Sequence, residues 1–144
     1  MPETAGWAVP PALVTDARYR LIPACGFGLG YNCRMDRLPP ALAGTLAQLN
    51  QGLRDLYGDR YRGLLLYGSY ARGEADEGSD VDLLVLLEGP VNVGREIWRM
   101  GAVTSPLSLE SGFVFSTLPL SPEDYRQRDS LFLRTVRKEA IAAA

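Results

Sequence analysis

The chain has 144 residues, of which 47% are hydrophobic and 22% are charged, so it fits one globular domain with its own core. Its formal net charge of -2 gives no electrostatic reason to expect direct binding to nucleic acid. Histidine is absent, which excludes catalytic triads with a histidine base and most zinc sites.

The first 35 residues differ from the rest of the chain because they lack a regular pattern. Six of the ten prolines lie at or before Pro40, and the apolar residues here keep no sustained period. We therefore expect residues 1–35 to be a flexible extension and residues 36–144 to form the folded domain. The chain start does not resemble a secretory signal, and no apolar run is long enough to span a membrane. We therefore expect a cytoplasmic protein with no membrane partner.

From Pro39 onward the pattern predicts a helix and then two strands. Five leucines at spacings of four and three predict a helix that ends at Gly58; they are Leu42, Leu46, Leu49, Leu53 and Leu56. The apolar runs 64–67 and 81–87 predict two short buried strands. Between them we expect a helical turn over 69–72, with Ser69 as its cap, and a polar loop over 73–79.

The second half of the chain predicts one more strand and further helices. A helix is expected over 91–103, with Trp98 and Met100 in the core and Ile97 and Val103 also on its inner side. Residues 112–120 predict a third strand, Ser121 is the cap of a following helix, and a last helix is expected over 129–142. This order predicts an α+β fold, with a small sheet backed by helices.

Two acidic residues flank the first residue of the second predicted strand. Side chains two apart on a strand project from the same face, so the carboxylates of Asp80 and Asp82 lie side by side. Adjacent carboxylates repel each other unless a cation lies between them. Oxygen ligands favour a hard ion such as Mg²⁺, which also takes phosphate oxygens as ligands. The pair therefore predicts a Mg²⁺ site.

Residues that suit a phosphate follow the first predicted strand directly. Gly68 has no side chain, so a phosphate can approach the backbone closely. Ser69 begins a helical turn whose free N–H groups and hydroxyl can donate to that phosphate. Arg72, one turn further, can pair with a phosphate or with an acid of the loop. Together with the acidic pair, this segment predicts a site for a Mg²⁺–nucleoside triphosphate.

These two segments resemble the signature of a known family. The stretch GSYARG at 68–73, followed by SDVDL at 79–83, matches the pattern Gly-Ser, ten residues, Asp-x-Asp. That pattern is typical of minimal nucleotidyltransferases of the DNA polymerase β superfamily, and the resemblance extends over about residues 36–142. It implies a mixed-sheet nucleotidyltransferase fold, Mg²⁺ held by Asp80 and Asp82, and triphosphate contacts from Gly68 and Ser69.

The resemblance also implies a partner. Such proteins are often antitoxins paired with a HEPN-domain ribonuclease toxin, which they neutralise by adenylylation, so the implied reaction transfers AMP from ATP to a partner hydroxyl. Active members usually carry a third acid on a later strand. Residues 112–120 contain none, so Glu110 is the candidate, with a solvated residue ahead of the strand as the alternative.

Three functional hypotheses therefore remain open. The first is an adenylyl-transferring enzyme, and the second is a catalytically degenerate domain that neutralises a toxin by occlusion. The third is a nucleotide-binding subunit that needs another chain to complete its acceptor site. The sequence does not distinguish ATP from other nucleoside triphosphates.

Overall fold

The structure is a computed structural model that describes residues 37–143. The predicted extension over residues 1–35 lies outside the described residues, so the proposed domain boundary stays a prediction. No helix within residues 37–143 is both long enough and apolar enough to cross a membrane.

Helices and strands alternate along this part of the chain. In chain order they are α1 (Pro40–Tyr57), a 3₁₀ turn (Gly58–Arg60), β1 (Tyr61–Tyr67), α2 (Gly68–Arg72), β2 (Val81–Leu87), α3 (Val93–Ser111), β3 (Phe115–Leu120), α4 (Pro122–Gln127), α5 (Leu131–Glu139) and β4 (Ile141–Ala142). The strands form one sheet in the order β3-β2-β1-β4. Since β2 runs antiparallel to β1 and parallel to β3, the sheet is mixed. The predicted α+β fold, a small mixed sheet backed by helices, is confirmed.

The two faces of the sheet are covered by different helices. On the first face, strand side chains pack against α1 and α3, and the buried members include Leu64, Leu66, Leu83, Val85, Leu42, Leu46, Leu49, Leu53 and Met100. On the second face, strand side chains pack against α4 and α5, and the buried members include Leu65, Leu84, Leu86, Tyr125, Leu133 and Val136. Because side chains alternate along a strand, Asp82 lies on the second face with Leu84 and Leu86.

Helix α3 is longer than predicted. It continues past the expected end at Val103 to Ser111, with Pro106 inside the helix. A proline removes one hydrogen bond from the helical ladder, but packing can offset that loss. Val103 and Leu107 provide such packing, since both lie against the buried core of the first face. Glu110, expected just before the third strand, therefore lies in the last turn of α3.

The inner side of α3 also differs from the prediction. Met100 is fully buried as predicted, but Trp98 is 82% exposed and Ile97 is 44% exposed, so their placement in the core was wrong. The inward position one turn before Met100 is occupied by Glu96, whose carboxylate pairs with Arg60 at 3.2 Å. Because burial of an unpaired carboxylate is costly, this ion pair at Oε1 offsets part of that cost, while the Oε2 atom has no hydrogen-bond partner among the described residues.

The end of the chain forms a strand where a continuous helix was predicted. Helix α5 stops at Glu139, and β4 pairs Ala142 with Leu65 and Ile141 with Leu66. The alanine-rich tail has high intrinsic helix propensity, but pairing with the edge of β1 overrides this local preference. This strand holds Glu139 close to the end of β1, where α2 begins.

Candidate nucleotide and metal site

The candidate site lies where β1 ends and β2 begins. Tyr67, the last residue of β1, is the Cα partner of Asp82, and Gly68 follows it as the first residue of α2. Asp82 in turn faces Ser116 of β3 in the parallel register. The structure therefore brings the Gly-Ser segment and the Asp-x-Asp segment together at one end of the sheet.

Two features of the structure require glycine at position 68. Its φ is +75°, a left-handed conformation that side chains with a Cβ rarely adopt. A Cβ at this position would also collide with the Oδ2 atom of Asp82. The sequence predicted a close approach between Gly68 and a phosphate, and the structure adds a close approach between Gly68 and the Asp82 carboxylate. Any substitution of Gly68 should therefore disturb the acidic pair.

Helix α2 begins one residue earlier than predicted. Its N-cap is Tyr67, and no side chain accepts a capping hydrogen bond there, so the prediction that Ser69 caps this helix was wrong. Ser69 is the second helical residue, and its carbonyl accepts from the Glu74 N–H at 2.9 Å. Gly73 ends the helix with a φ of 75°. The segment is thus a single, sharply terminated turn next to the acidic pair.

The loop that leads into β2 is organised by Asp76. Its Oδ1 atom accepts from the Gly78 N–H and from the Ser79 hydroxyl, each at 3.0 Å. The Asp76 N–H in turn donates to the Ser79 Oγ at 2.9 Å. Such local side-chain bonds stabilise a turn in place of regular structure. They fix the path of the chain immediately before Asp80.

The carboxylates of Asp80 and Asp82 repel each other, and a bound cation would reduce this repulsion. Burial raises the pKa of Asp82, the negative charge of Asp80 raises it further, and Arg72 lowers it. Two repelling carboxylates become compatible when a cation binds between them. The donor set is made of oxygens and carries negative charge, which fits Mg²⁺. Asp80 and Asp82 are therefore the residues that would hold the ion.

Glu110 is not part of this acidic group. It is exposed at the end of α3, and α3 packs on the face of the sheet opposite to Asp82. In residues 37–143, no three acidic or thiol side chains are grouped so that they could hold a metal ion. The β3 residue beside Asp82 is Ser116, which is uncharged. Among the described residues, no third metal-binding acid therefore lies with the pair.

Glu139 is a site residue that no sequence pattern indicated. Its Oε1 atom accepts from the Gly68 N–H at 2.9 Å, and its Oε2 atom accepts from the Nη1 of Arg72 at 3.1 Å. The Nε of Arg72 donates to Glu74 at 2.8 Å. Glu139 is 71 residues from Gly68 along the chain, so the contact could have been predicted only together with strand β4.

An aromatic pair borders the site on the α5 side. The ring of Tyr67 meets the ring of Phe132 edge to face, with centroids 5.6 Å apart and an interplanar angle of 81°. Burial raises the pKa of the Tyr67 hydroxyl, and the charges of Asp82 and Glu139 raise it further, so this phenol stays neutral at physiological pH. Phe132 is 44% exposed, which gives the site an accessible apolar wall.

The raised pKa of Asp82 predicts that its charge destabilises the metal-free fold. A carboxylate with a higher pKa in the folded state binds protons more tightly there, so the contribution of Asp82 to stability is most favourable below its ordinary pKa of 3.8. The free energy of unfolding then falls as the pH rises through the folded-state pKa. We expect Asp82→Asn to unfold at higher denaturant concentration than wild type at pH 7 in the presence of a chelator.

A matched variant controls for the loss of one negative charge. Asp59→Asn makes the same change at an exposed position in the 3₁₀ turn and should leave the midpoint close to that of wild type. A midpoint for Asp82→Asn equal to or below that of wild type would contradict the assigned destabilisation by burial and repulsion of this carboxylate.

Fold and site together define a domain of the nucleotidyltransferase class. The family model described as "Nucleotidyltransferase domain" matches residues 46–137, a range that includes Gly68, Ser69, Asp80 and Asp82. The chain belongs to this family.

The fold is shared with solved structures, one of which matches over most of the chain. It is described as "Crystal structure of the toxin-antitoxin with AMP-PNP", and it matches with a TM-score of 0.51 and 18% sequence identity. The match covers 71% of this chain and 72% of that chain. At this level of identity the likeness shows a shared fold. No curated protein matches the chain.

Proposed function

We propose that the protein is a Mg²⁺-dependent nucleotidyltransferase that moves AMP from ATP to a hydroxyl group of a partner protein. The observation that carries this proposal is the close approach of Gly68 to the Asp82 carboxylate, because it brings the Gly-Ser turn beside the acidic pair. Membership of the nucleotidyltransferase family supports nucleotidyl transfer. The similar structure, described as a toxin-antitoxin with AMP-PNP, supports a toxin as partner and a nucleotide as ligand. We propose a cytoplasmic antitoxin with a HEPN-type toxin as its partner.

Each residue of the site has a separate role in this reaction. The backbone at Gly68, the hydroxyl of Ser69 and the guanidinium of Arg72 bind the triphosphate, and Asp80 and Asp82 hold Mg²⁺. When bound there, the ion neutralises negative charge on the phosphates. The acceptor oxygen forms a bond to the α-phosphorus while the bond to the bridging oxygen breaks, so pyrophosphate leaves. The acceptor hydroxyl loses its proton to a base.

The role of that base was assigned to Glu110 from the sequence, and its position on α3 gives this assignment no support. We therefore expect Glu110→Gln to change the transfer rate by less than about threefold, since a positioned base normally contributes about 10²–10⁴-fold. The measurement is the rate of AMP transfer to the partner at saturating ATP. A loss of two orders of magnitude or more, with ATP binding unchanged, would restore Glu110 as the base.

A degenerate domain that silences the toxin by occlusion is the second candidate function. The observation that favours it is the uncharged Ser116 on β3, beside Asp82, since the family resemblance implies a third acid on a later strand. Intact-mass spectrometry of the toxin separates the two functions after incubation with the protein and MgATP. The enzyme predicts a mass gain by AMP units that needs Mg²⁺. A silenced toxin of unchanged mass would overturn the enzyme and support occlusion.

A further inference from the structure

We propose that Glu139 occupies the polyphosphate-binding groups of the free protein and acts as an intramolecular competitor of the nucleotide. Its carboxylate must then leave Gly68 and Arg72 before the phosphates bind. This inference rests on the proposed function, because the competition exists only if the polyphosphate binds at these two residues.

Glu139 accepts hydrogen bonds from the same groups that are proposed to bind the phosphates. The Gly68 N–H donates to Glu139 at 2.9 Å, and Arg72 donates to it at 3.1 Å. A backbone N–H has one hydrogen to donate, so Gly68 cannot serve the carboxylate and a phosphate with full strength at once. The Arg72 guanidinium is also shared with Glu74 at 2.8 Å. A phosphate at the Nε or Nη1 atom of Arg72 therefore replaces an existing ion pair.

The negative charge of Glu139 also opposes binding of a triphosphate. The side chain of Glu139 is only 13% exposed, so solvent screens its charge less than that of a surface acid. Its charge acts on Asp82 in the same direction as the charge of Asp80. Mg²⁺ between the two aspartates would compensate their charge, but the Glu139 carboxylate contacts Gly68 and Arg72, the groups proposed to bind the phosphates. An incoming triphosphate meets like charge at that point.

The position of Glu139 in the chain allows its carboxylate to leave Gly68 and Arg72. Glu139 is the last residue of α5, and the extended Ala140 links it to β4. Strand β4 has two residues and pairs with β1 at the edge of the sheet. A strand this short holds the chain with few hydrogen bonds, and the glutamate side chain has several rotatable bonds of its own. Release therefore needs no change in the rest of the sheet.

Two variants test the competition through ATP affinity, measured by calorimetry at a fixed, saturating Mg²⁺ concentration. Glu139→Gln keeps the shape but removes the charge, and charge-assisted hydrogen bonds are roughly twice as strong as neutral ones. We expect Glu139→Gln to bind MgATP about fivefold more tightly than wild type, since a neutral bond at these donors is weaker by about 1 kcal/mol. Glu139→Ala should also bind more tightly, and thermal unfolding of both variants checks that they are folded.

Two further variants separate competition from a general effect of charge. Glu123→Gln removes the same charge from an exposed acid in the first turn of α4 and should leave the affinity at the wild-type value. Glu74→Gln should tighten binding less than Glu139→Gln, because Glu74 contacts Arg72 but its side chain does not accept from Gly68.

The outcomes distinguish this inference from the proposed function. Tighter binding by Glu139→Gln, with Glu123→Gln unchanged, supports the competition. If wild type binds MgATP and Glu139→Gln binds equally or more weakly, Glu139 is no competitor, and the proposed function stands. If neither wild type nor Glu139→Gln binds MgATP, both proposals are overturned.

Discussion

Replacement of both Asp80 and Asp82 by alanine is expected to abolish Mg²⁺-dependent binding of ATP while the domain stays folded. These carboxylates are the oxygen ligands proposed for the ion, and Mg²⁺ requires near-octahedral oxygen coordination. Loss of an outer-shell partner of a metal ligand already costs about 10–100-fold in metal affinity, so loss of both ligands should cost more. The fold should persist, because the substitution removes both the half-buried carboxylate and its repulsion by Asp80, which together raise the pKa of Asp82.

The measurement is calorimetric titration of MgATP into the double variant, with circular dichroism to verify the fold. The pair Asp55→Ala and Asp59→Ala is a matched control, since it removes two negative charges from exposed positions far along the chain from β2. We expect the control to bind like wild type. Equal MgATP affinity in the Asp80→Ala/Asp82→Ala protein and in the control would reject the assigned metal site.

Gly68→Val is expected to lower both the free energy of unfolding and the affinity for MgATP. The backbone strain of a side chain at a φ of +75° costs roughly 1–2 kcal/mol. Valine at this position would also push against the Oδ2 atom of Asp82, so one member of the acidic pair must move. We therefore expect the affinity for MgATP to fall at least about tenfold, since the side chains of a binding site must stay within about 0.5 Å of their productive positions.

Gly73→Val separates backbone strain from this collision. Gly73 has the same φ of +75°, but a Cβ there meets nothing within 4 Å. We expect Gly73→Val to lose stability in denaturant titrations but to keep most of its MgATP affinity. If the two valine variants lose affinity equally, the contact between Gly68 and Asp82 has no part in nucleotide binding.

Elements set by local pattern could be predicted from the sequence. The leucine stripe of α1 has one helical period and packs as predicted, and the strand β2, apolar except for Asp82, matches its predicted bounds, Val81–Leu87. Ser121 caps α4 as predicted, because its hydroxyl accepts from the Asp124 N–H at 3.0 Å. In each case the residues that determine the element lie within a few positions of it.

Features that depend on contacts distant in sequence could not be predicted. Packing of Leu107 extends α3 past Pro106, and pairing with β1 turns the alanine-rich tail into β4. Both changes affect the site. Because α3 is longer than predicted, Glu110 lies in that helix and not in the segment directly before β3. Because β4 forms, Glu139 contacts Gly68, which is 71 residues away along the chain. The residues of the two motifs could be named from the sequence, but their acidic neighbour could not.

The central claim is that the site transfers a nucleotidyl group, and the position of a radiolabel in ATP tests it most directly. Wild type, Mg²⁺ and the partner toxin are incubated with ATP labelled at either the α- or the γ-phosphate, and label on the toxin is measured. Since pyrophosphate is the leaving group, the α-label should appear on the toxin and the γ-label should not. Transfer of the α-label should disappear in Asp80→Ala/Asp82→Ala. Absence of α-label on a toxin that wild type still silences, or transfer of the γ-label, would contradict the account.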